Sequence, residues 1–264
     1  MEKSLETSHN ESTLGEAICQ GVKNGASNAA HSESSMSLLE AIRLYPMAIV
    51  WSVGLSTAVV MEGYSVMLLS SFYALPQFNR KYGQLQPDGS YVIPASWKSG
   101  LSNGALCGEI LGLSFTGLCQ DRFGYRVTIF AALYLITGFI FILFFAQNVQ
   151  MLLAGEILCG IPWGAFQTIT VAYASEVCPV ALRGHLTTYV NLCWVIGQFI
   201  VSGVLRGMLE RHDQWAYRIP FAMQWVWPIP LMVMCVLAPE SPWWLVRHGR
   251  PEEARKSLIR LMSN

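Results

Sequence analysis

The sequence predicts an all-α membrane protein, a bundle of six transmembrane helices, and three observations predict it. Of 264 residues, 53% are hydrophobic and only 13% are charged. The apolar residues gather into blocks of about 20, the length a helix needs to cross roughly 30 Å of hydrocarbon. Within those blocks glycines recur at four-residue spacing, which lets backbones approach closely where lipid supplies no hydrophobic drive between helices.

In chain order, residues 1–45 are rich in Ser, Glu, Asn and Gly, so they read as a disordered tail. They lack an apolar core of the kind a cleaved signal peptide carries. Six spans are then expected at about 46–75, 97–118, 127–146, 149–174, 187–206 and 218–238. Pro46 and Pro76 bound the first, and its length implies tilt. A polar loop with Lys81, Asp88-Gly89-Ser90 and Pro94 separates spans one and two. Gly104, Gly108 and Gly112 mark a packing face on span two, Gly160 and Gly164 on span four, Gly203 and Gly207 on span five. Residues 239–264 read as a cytoplasmic helical segment: Pro251 opens a helix, acids come early and bases late, and Ala254, Leu258 and Leu261 share a face. Basic residues bias both chain ends toward the cytoplasm only modestly.

Composition also excludes functions. A formal net charge of zero and the lack of a basic patch with interleaved aromatics argue against nucleic-acid binding. No G-x-x-x-x-G-K-[ST] loop, H-E-x-x-H or G-x-S-x-G occurs, so neither an enzyme nor a cofactor is expected. The seven cysteines form no C-x-x-C pair and mostly fall in apolar segments. They read as packing residues, with no metal site or disulfide framework.

The informative residues are polar groups at membrane depth. An ionisable group there costs at least ~2.5–3.5 kcal/mol and normally faces the bundle interior or a wet cavity. Glu62 in span one and Glu109 in span two are candidates for binding and releasing protons. Each also fits a second role, a neutral hydrogen-bonded tie between helices. Glu156, beside Gly155 near the start of span four, fits the tie at least as well. Asn191 and Gln198 on span five lie seven residues apart and so nearly on one face. With Gln167 and Trp163 on span four, and Gln224 beside Trp225 and Trp227 on span six, they form a set of amides and aromatic faces suited to a sugar's hydroxyls and C–H faces. For each one alone, an interhelical hydrogen bond or an interfacial anchor serves equally well.

The loops carry a resemblance. Gly117-Leu-Cys-Gln-Asp121-Arg122-Phe-Gly124-Tyr-Arg126 resembles the G-x-x-x-D-R-x-G-R-[RK] signature of the major facilitator superfamily, with Tyr125 in place of one basic residue. In physical terms the glycine permits a tight turn, Asp121 can face a helix N-terminus across the bundle, and the arginines stay at the surface. Glu176-Val-Cys-Pro179-Val-Ala-Leu-Arg183-Gly184 is similar to the sugar-porter E-x-x-P-x-x-x-R-G pattern. Pro239-Glu240-Ser241-Pro242 is similar to the P-E-S-P-R box, with Trp243 in the Arg position. The stretches "MEGYSVMLLSSFYALPQF", "GEILCGIPWGAFQTITVAYASEVCP", "TTYVNLCWVIGQFIVSGVLRGM" and "YRIPFAMQWVWP" resemble fungal maltose permeases, the α-glucoside:proton symporters, over about residues 40–264.

The resemblance implies the N-terminal half of a major facilitator superfamily fold, with both termini cytoplasmic, in the plasma membrane. It implies maltose-like α-glucosides and protons as the transported partners. Glu62 and Glu109 then stand at proton-coupling positions, Asn191 at a sugar-contacting one, and the loop residues form conformational gating motifs. In that family the first-span motif reads E-G-Y-D, and here Ser65 stands where Asp is expected, so no second carboxyl is available there. Twelve spans in two halves are also implied, with the site between them, so a C-terminal six-helix half is expected beyond this chain. Three other functions fit these residues: a non-transporting sugar sensor, an inactive truncated product, and an uncoupled sugar facilitator.

Overall fold

Pro46 begins the first long helix. Its missing N–H costs nothing at a first helical turn, where that group would have no partner. The computed structural model describes residues 37–87 and 89–262. In it the long helices are α2 (Pro46–Phe72), α4 (Ala95–Phe123), α5 (Tyr125–Phe144), α6 (Val149–Val177) and α7 (Val180–Met208). A broken rod follows: α8 (Trp215–Met223), a 3₁₀ turn (Gln224–Val226) and α9 (Pro228–Leu237). Shorter helices are α1 (Leu38–Leu44), α3 (Pro76–Tyr82), α10 (Pro242–Arg247) and α11 (Pro251–Leu261). Proline opens α2, α3, α9, α10 and α11.

Among the described residues, α2, α5, α6, α7 and the Trp215–Leu237 rod are long and apolar enough to cross a membrane. Helix α4 is as long as α6 and α7 but less apolar, because Gly, Ser, Asn and Glu109 occupy many of its positions. Helix α5 is apolar on both faces: Leu133, Ile136 and Ile140 are buried, while Tyr134, Leu135 and Phe141 are exposed. A helix apolar all round belongs in a membrane or deep in a core.

Three local expectations need correction. The tail expected over 1–45 lies mostly outside the described residues, but its last part is helical. Ser37 caps α1 by accepting the Glu40 N–H at 3.3 Å, Glu40 and Arg43 complement the helix dipole, and Ala41 is buried. The polar loop contains α3 and a two-stranded antiparallel hairpin, β1 (Gln84–Leu85) with β2 (Tyr91–Val92), closed by Gln86 N–H to Ser90 O at 2.8 Å. On α11 the inward residues are Ala254, Ser257 and Leu261, while Leu258 is exposed. The cause is polar: the Ser257 hydroxyl donates to the Glu240 carbonyl and sets the helix's rotation.

Helices α2 and α6 are the inner rods, and α5, α7 and α8–α9 present more of their surface outward. Glycine decides how closely they approach. A Cβ on Gly108 would overlap the Ile157 carbonyl, one on Gly112 the Ile161 carbonyl, and one on Gly160 the Ala105 carbonyl. The α4–α6 seam is therefore backbone against backbone, as small residues permit in membranes. Helices α2 and α7 meet the same way, Gly63 against the Trp194 carbonyl and Gly197 against the Val60 carbonyl. The expected packing face at Gly203 and Gly207 does not form, since neither has an atom within contact distance of a Cβ. Both lie off the Val190–Cys193–Gly197–Val201 stripe that α7 buries.

Gly160→Leu should lower the unfolding free energy by about 1–3 kcal/mol or more through overpacking, while Gly203→Leu should stay within about 0.5 kcal/mol of the unsubstituted protein. Unfolding of the purified protein in detergent measures both. Equal effects at the two positions would contradict the packing described.

Candidate functional site

Helix α2 carries Glu62 in mid-course, where the burial cost is greatest. Glu62 is 2% exposed, and its Oε1 accepts a hydrogen bond from Gln167 Nε2 on α6 at 2.8 Å. Its Oε2 is buried with no partner among the described residues. No ion pair among those residues involves Glu62, Glu109 or Glu156. Glu109 on α4 is half-buried. Its backbone lines the glycine seam beside Gly160 and Gly164. One carboxyl group and one neutral amide thus meet across α2 and α6, an arrangement that can bind a proton without a resident cation.

Ser65 is buried, and its hydroxyl donates to the Met61 carbonyl at 3.0 Å. It is satisfied within its own helix and adds nothing to Glu62. Between them, Tyr64 packs on Trp227 with ring centroids 5.3 Å apart, and its hydroxyl donates to the Pro220 carbonyl at 2.9 Å. That bond ties α2 to the broken rod.

The amides expected to meet a sugar differ in burial and in partners. Asn191 is exposed and Gln198 half-exposed, side by side along α7 next to the stripe that packs on α2. Gln167 is committed to Glu62. Gln224 is buried with its Oε1 unpartnered, as is the Trp163 indole N–H. Trp225 is structural: its indole donates to the Thr137 carbonyl at 3.2 Å, and its ring lies against Phe141 and Phe144. Glu156 is buried near the opposite end of α6 from Glu176. Sequence reasoning found the polar groups singly and missed the Glu62–Gln167 and Tyr64–Pro220 contacts, because nothing in a sequence states which turns of two helices face each other.

The loop motifs converge at one end of the bundle. Gly124, with φ of +88°, ends α4 and starts α5, the tight turn expected of it. The acid at the α5 N-terminus is Glu240. Glu240 accepts the Tyr125 N–H at 2.9 Å and the Arg126 N–H at 3.4 Å, a favourable place for a carboxylate. Asp121 is exposed and contributes its carbonyl to the Trp244 indole at 3.1 Å; lying at the C-terminal end of α4, it cannot reach over the turn as Glu240 does. Burial pushes the Glu240 carboxyl above its usual range, while the Tyr125, Arg126 and Ser241 N–H groups and the Arg126 guanidinium pull it back. Arg126 in turn donates to the Cys235 and Val236 carbonyls at the end of α9. Glu176 pairs with Arg247 and accepts the Ser241 hydroxyl, and Arg183 donates to the Cys178 carbonyl at 3.2 Å. Gly117 has no close neighbour, and Arg122 is exposed; neither joins this network.

Among the described residues no His/Cys/Asp/Glu cluster could hold a metal, and Cys107, Cys119, Cys159, Cys178, Cys193 and Cys235 are free thiols.

Comparison with known proteins accounts for this layout. The sequence pattern of the sugar (and other) transporter family matches residues 51–264. The chain is 49% identical over 240 residues to the general alpha-glucoside permease of Saccharomyces cerevisiae, covering 90% of this chain and 39% of that protein. It is 48% identical over 241 residues to maltose permease MAL61 of the same yeast, again covering 90% and 39%. The chain thus spans about two fifths of the length of these curated relatives. Among solved structures it resembles the Escherichia coli xylose transporter XylE, partially occluded and inward open, with a TM-score of 0.70 at 20% identity over 81% of this chain and 54% of that one. It is equally similar, at 0.70 and 22% identity over 83% and 50%, to the proton:xylose symporter XylE bound to 6-bromo-6-deoxy-D-glucose. At those identities the likeness shows the fold: the N-terminal half of a major facilitator superfamily protein.

Glu240→Ala should cost about 1–3 kcal/mol, since it leaves two N–H groups at the α5 N-terminus without acceptors; Glu240→Gln, which keeps one acceptor, should cost less. Thermal unfolding of the purified variants ranks them, and an Ala variant as stable as the unsubstituted protein would contradict the capping role.

Proposed function

The chain belongs to the sugar (and other) transporter family, and from that premise we infer that it is the N-terminal half of a transporter that carries maltose-like α-glucosides inward together with protons. It is an integral, multi-pass membrane protein from a family of transporters, not of enzymes. The observation that carries the inference is Glu62: a carboxyl buried at the convergence of three helices and held by an amide instead of a cation. An acid so placed is costly, and binding and releasing a proton is the function that repays it. Glu109, on α4, is the second proton-handling group. The names of the yeast relatives, alpha-glucoside and maltose permeases, support the substrate class.

Helix α4 is the sixth crossing, its polar positions spent on the glycine seam and on Glu109. Both termini then lie in the cytoplasm, the Glu240 end of the bundle faces inward, and the plasma membrane is the site of action. The sugar sits between this half and a second six-helix half, as in related folds. Asn191 and Gln198, which face outward from this half, contact its hydroxyls, joined by the half-buried Gln167, while Gln224 joins them only where the helices part to uncover it. The Glu240, Arg126, Glu176 and Arg247 contacts bind the inner ends of α5, α6, α9 and α10 into one body, so that the half moves as a unit. Ser65, closed on its own helix, favours a second reading, a facilitator in which proton coupling is weak.

In yeast lacking its own maltose permeases, the full-length protein containing this chain should take up maltose and drive proton influx, and Glu62→Gln should lower the proton influx by roughly tenfold or more. External pH recorded during a maltose pulse measures it. Maltose uptake without proton influx in the unsubstituted protein would favour the facilitator, and unchanged influx in Glu62→Gln would remove Glu62 from the mechanism.

A further inference from the structure

Among the described residues Gln167 is the one side chain that hydrogen-bonds the buried acid. Its Nε2 donates to Glu62 Oε1 across the α2–α6 interface at 2.8 Å. The two partners differ in access: Glu62 is buried, whereas Gln167 is half-buried, so Gln167 is the member of the pair that a solute can reach. The hydroxyls along these two helices are already engaged. Ser65 donates to the Met61 carbonyl, Thr168 to the Gly164 carbonyl and Thr170 to the Phe166 carbonyl, so none is poised to replace Gln167 as donor. Glu62 Oε2 has no partner among the described residues, which leaves the amide as the carboxyl's single hydrogen-bond anchor there. Glu109 is the titratable group at membrane depth on α4.

A carboxamide offers two donors and an acceptor oxygen, the complement of a sugar hydroxyl. We propose that Gln167 is the positioning residue that links sugar occupancy to proton occupancy: a sugar hydroxyl that takes the donor now given to Glu62, or turns the amide away from it, leaves the carboxylate without that bond. With the amide turned to Glu62, the carboxylate keeps a donor; with the amide turned to sugar, it does not. The two states hold a proton differently, and by reciprocity the protonation state of Glu62 changes the affinity for sugar. The device needs no conformational wire, because one side chain belongs to both sites. It rests on the reading of the protein as an α-glucoside:proton symporter and adds the residue through which the two substrates communicate.

The test uses the full-length protein containing this chain, in yeast lacking maltose permeases, and reads protons moved per maltose moved. Gln167→Leu keeps the side-chain bulk and removes both hydrogen-bonding functions. Whatever its uptake rate, its proton-to-maltose ratio should fall roughly fivefold or more, the lower end of a typical coupling factor. Gln167→Met likewise removes both hydrogen-bonding functions and keeps an unbranched side chain, so its ratio should fall in the same way. A coupled unsubstituted protein whose ratio is unchanged in Gln167→Leu overturns this proposal and leaves the symport reading standing. If Gln167→Leu is not transported to the cell surface, Gln167→Met decides: a lowered ratio supports the link, and an unchanged ratio overturns it. An unsubstituted protein that moves maltose without protons overturns the symport reading, and the link with it.

Discussion

Inside hydrocarbon, a carboxyl, an amide or a carbonyl has to find its hydrogen-bond partner within the protein, because lipid offers none. Glu62 is where this constraint bites hardest, and the contact that answers it, Gln167 Nε2 to Glu62 Oε1, requires α2 and α6 to hold one register. That register is held from both sides. Gly63 and Gly197 bring α7 against one side of α2, and Gly108, Gly112, Gly160 and Gly164 lock α4 to α6. Backbone contact of this kind fixes register more tightly than interleaved large side chains, because any Cβ would collide. The same seam places the Glu109 backbone against Gly160 and Gly164 of α6. Packing and chemistry are thus two aspects of the α2–α4–α6 convergence.

The other end of the bundle solves the opposite problem. There helix ends meet water, and their free N–H and C=O groups need partners. Glu240 answers for the start of α5, Arg126 for the end of α9, and Ser241 for the start of α10 while also reaching Glu176. Glu240 and Arg126 each satisfy the end of a helix other than their own, and Ser241 caps its own helix while reaching Glu176 on α6, so helices that share no long seam are still bound together. A body stiffened at its end and along its glycine seams can move as a unit without losing the geometry at Glu62.

The helical membrane fold was legible because its signal is large: apolar blocks of spanning length, with glycines at four-residue spacing. The residues at the centre were legible as anomalies, since an acid or amide in an apolar run is expensive wherever it points. Direction was not legible. Gly203 and Gly207 follow the same spacing as Gly104 and Gly108 yet face outward, because spacing shows that residues share a face and not that the face has a neighbour. Gly63 and Gly197, which do carry a seam, repeat nothing along their own helices. Asp121 and Glu240 are both acids near the α5 N-terminus, and only the path of the chain after α9 decides which one caps it. Leu258 yielded its inward place on α11 to Ser257 through one hydroxyl, a contact that hydrophobic periodicity does not weigh.

The account stands on Glu62 and Gln167 being bonded partners across α2 and α6. A double-mutant cycle in the reversible unfolding of the purified protein, Glu62→Leu and Gln167→Leu singly and together, isolates that contact from everything else the two side chains do. A direct hydrogen bond between membrane helices gives a coupling of about 0.6–1.7 kcal/mol, and a value in that range is expected here. Strictly additive effects would mean that Glu62 and Gln167 do not touch, and would contradict the account at its centre.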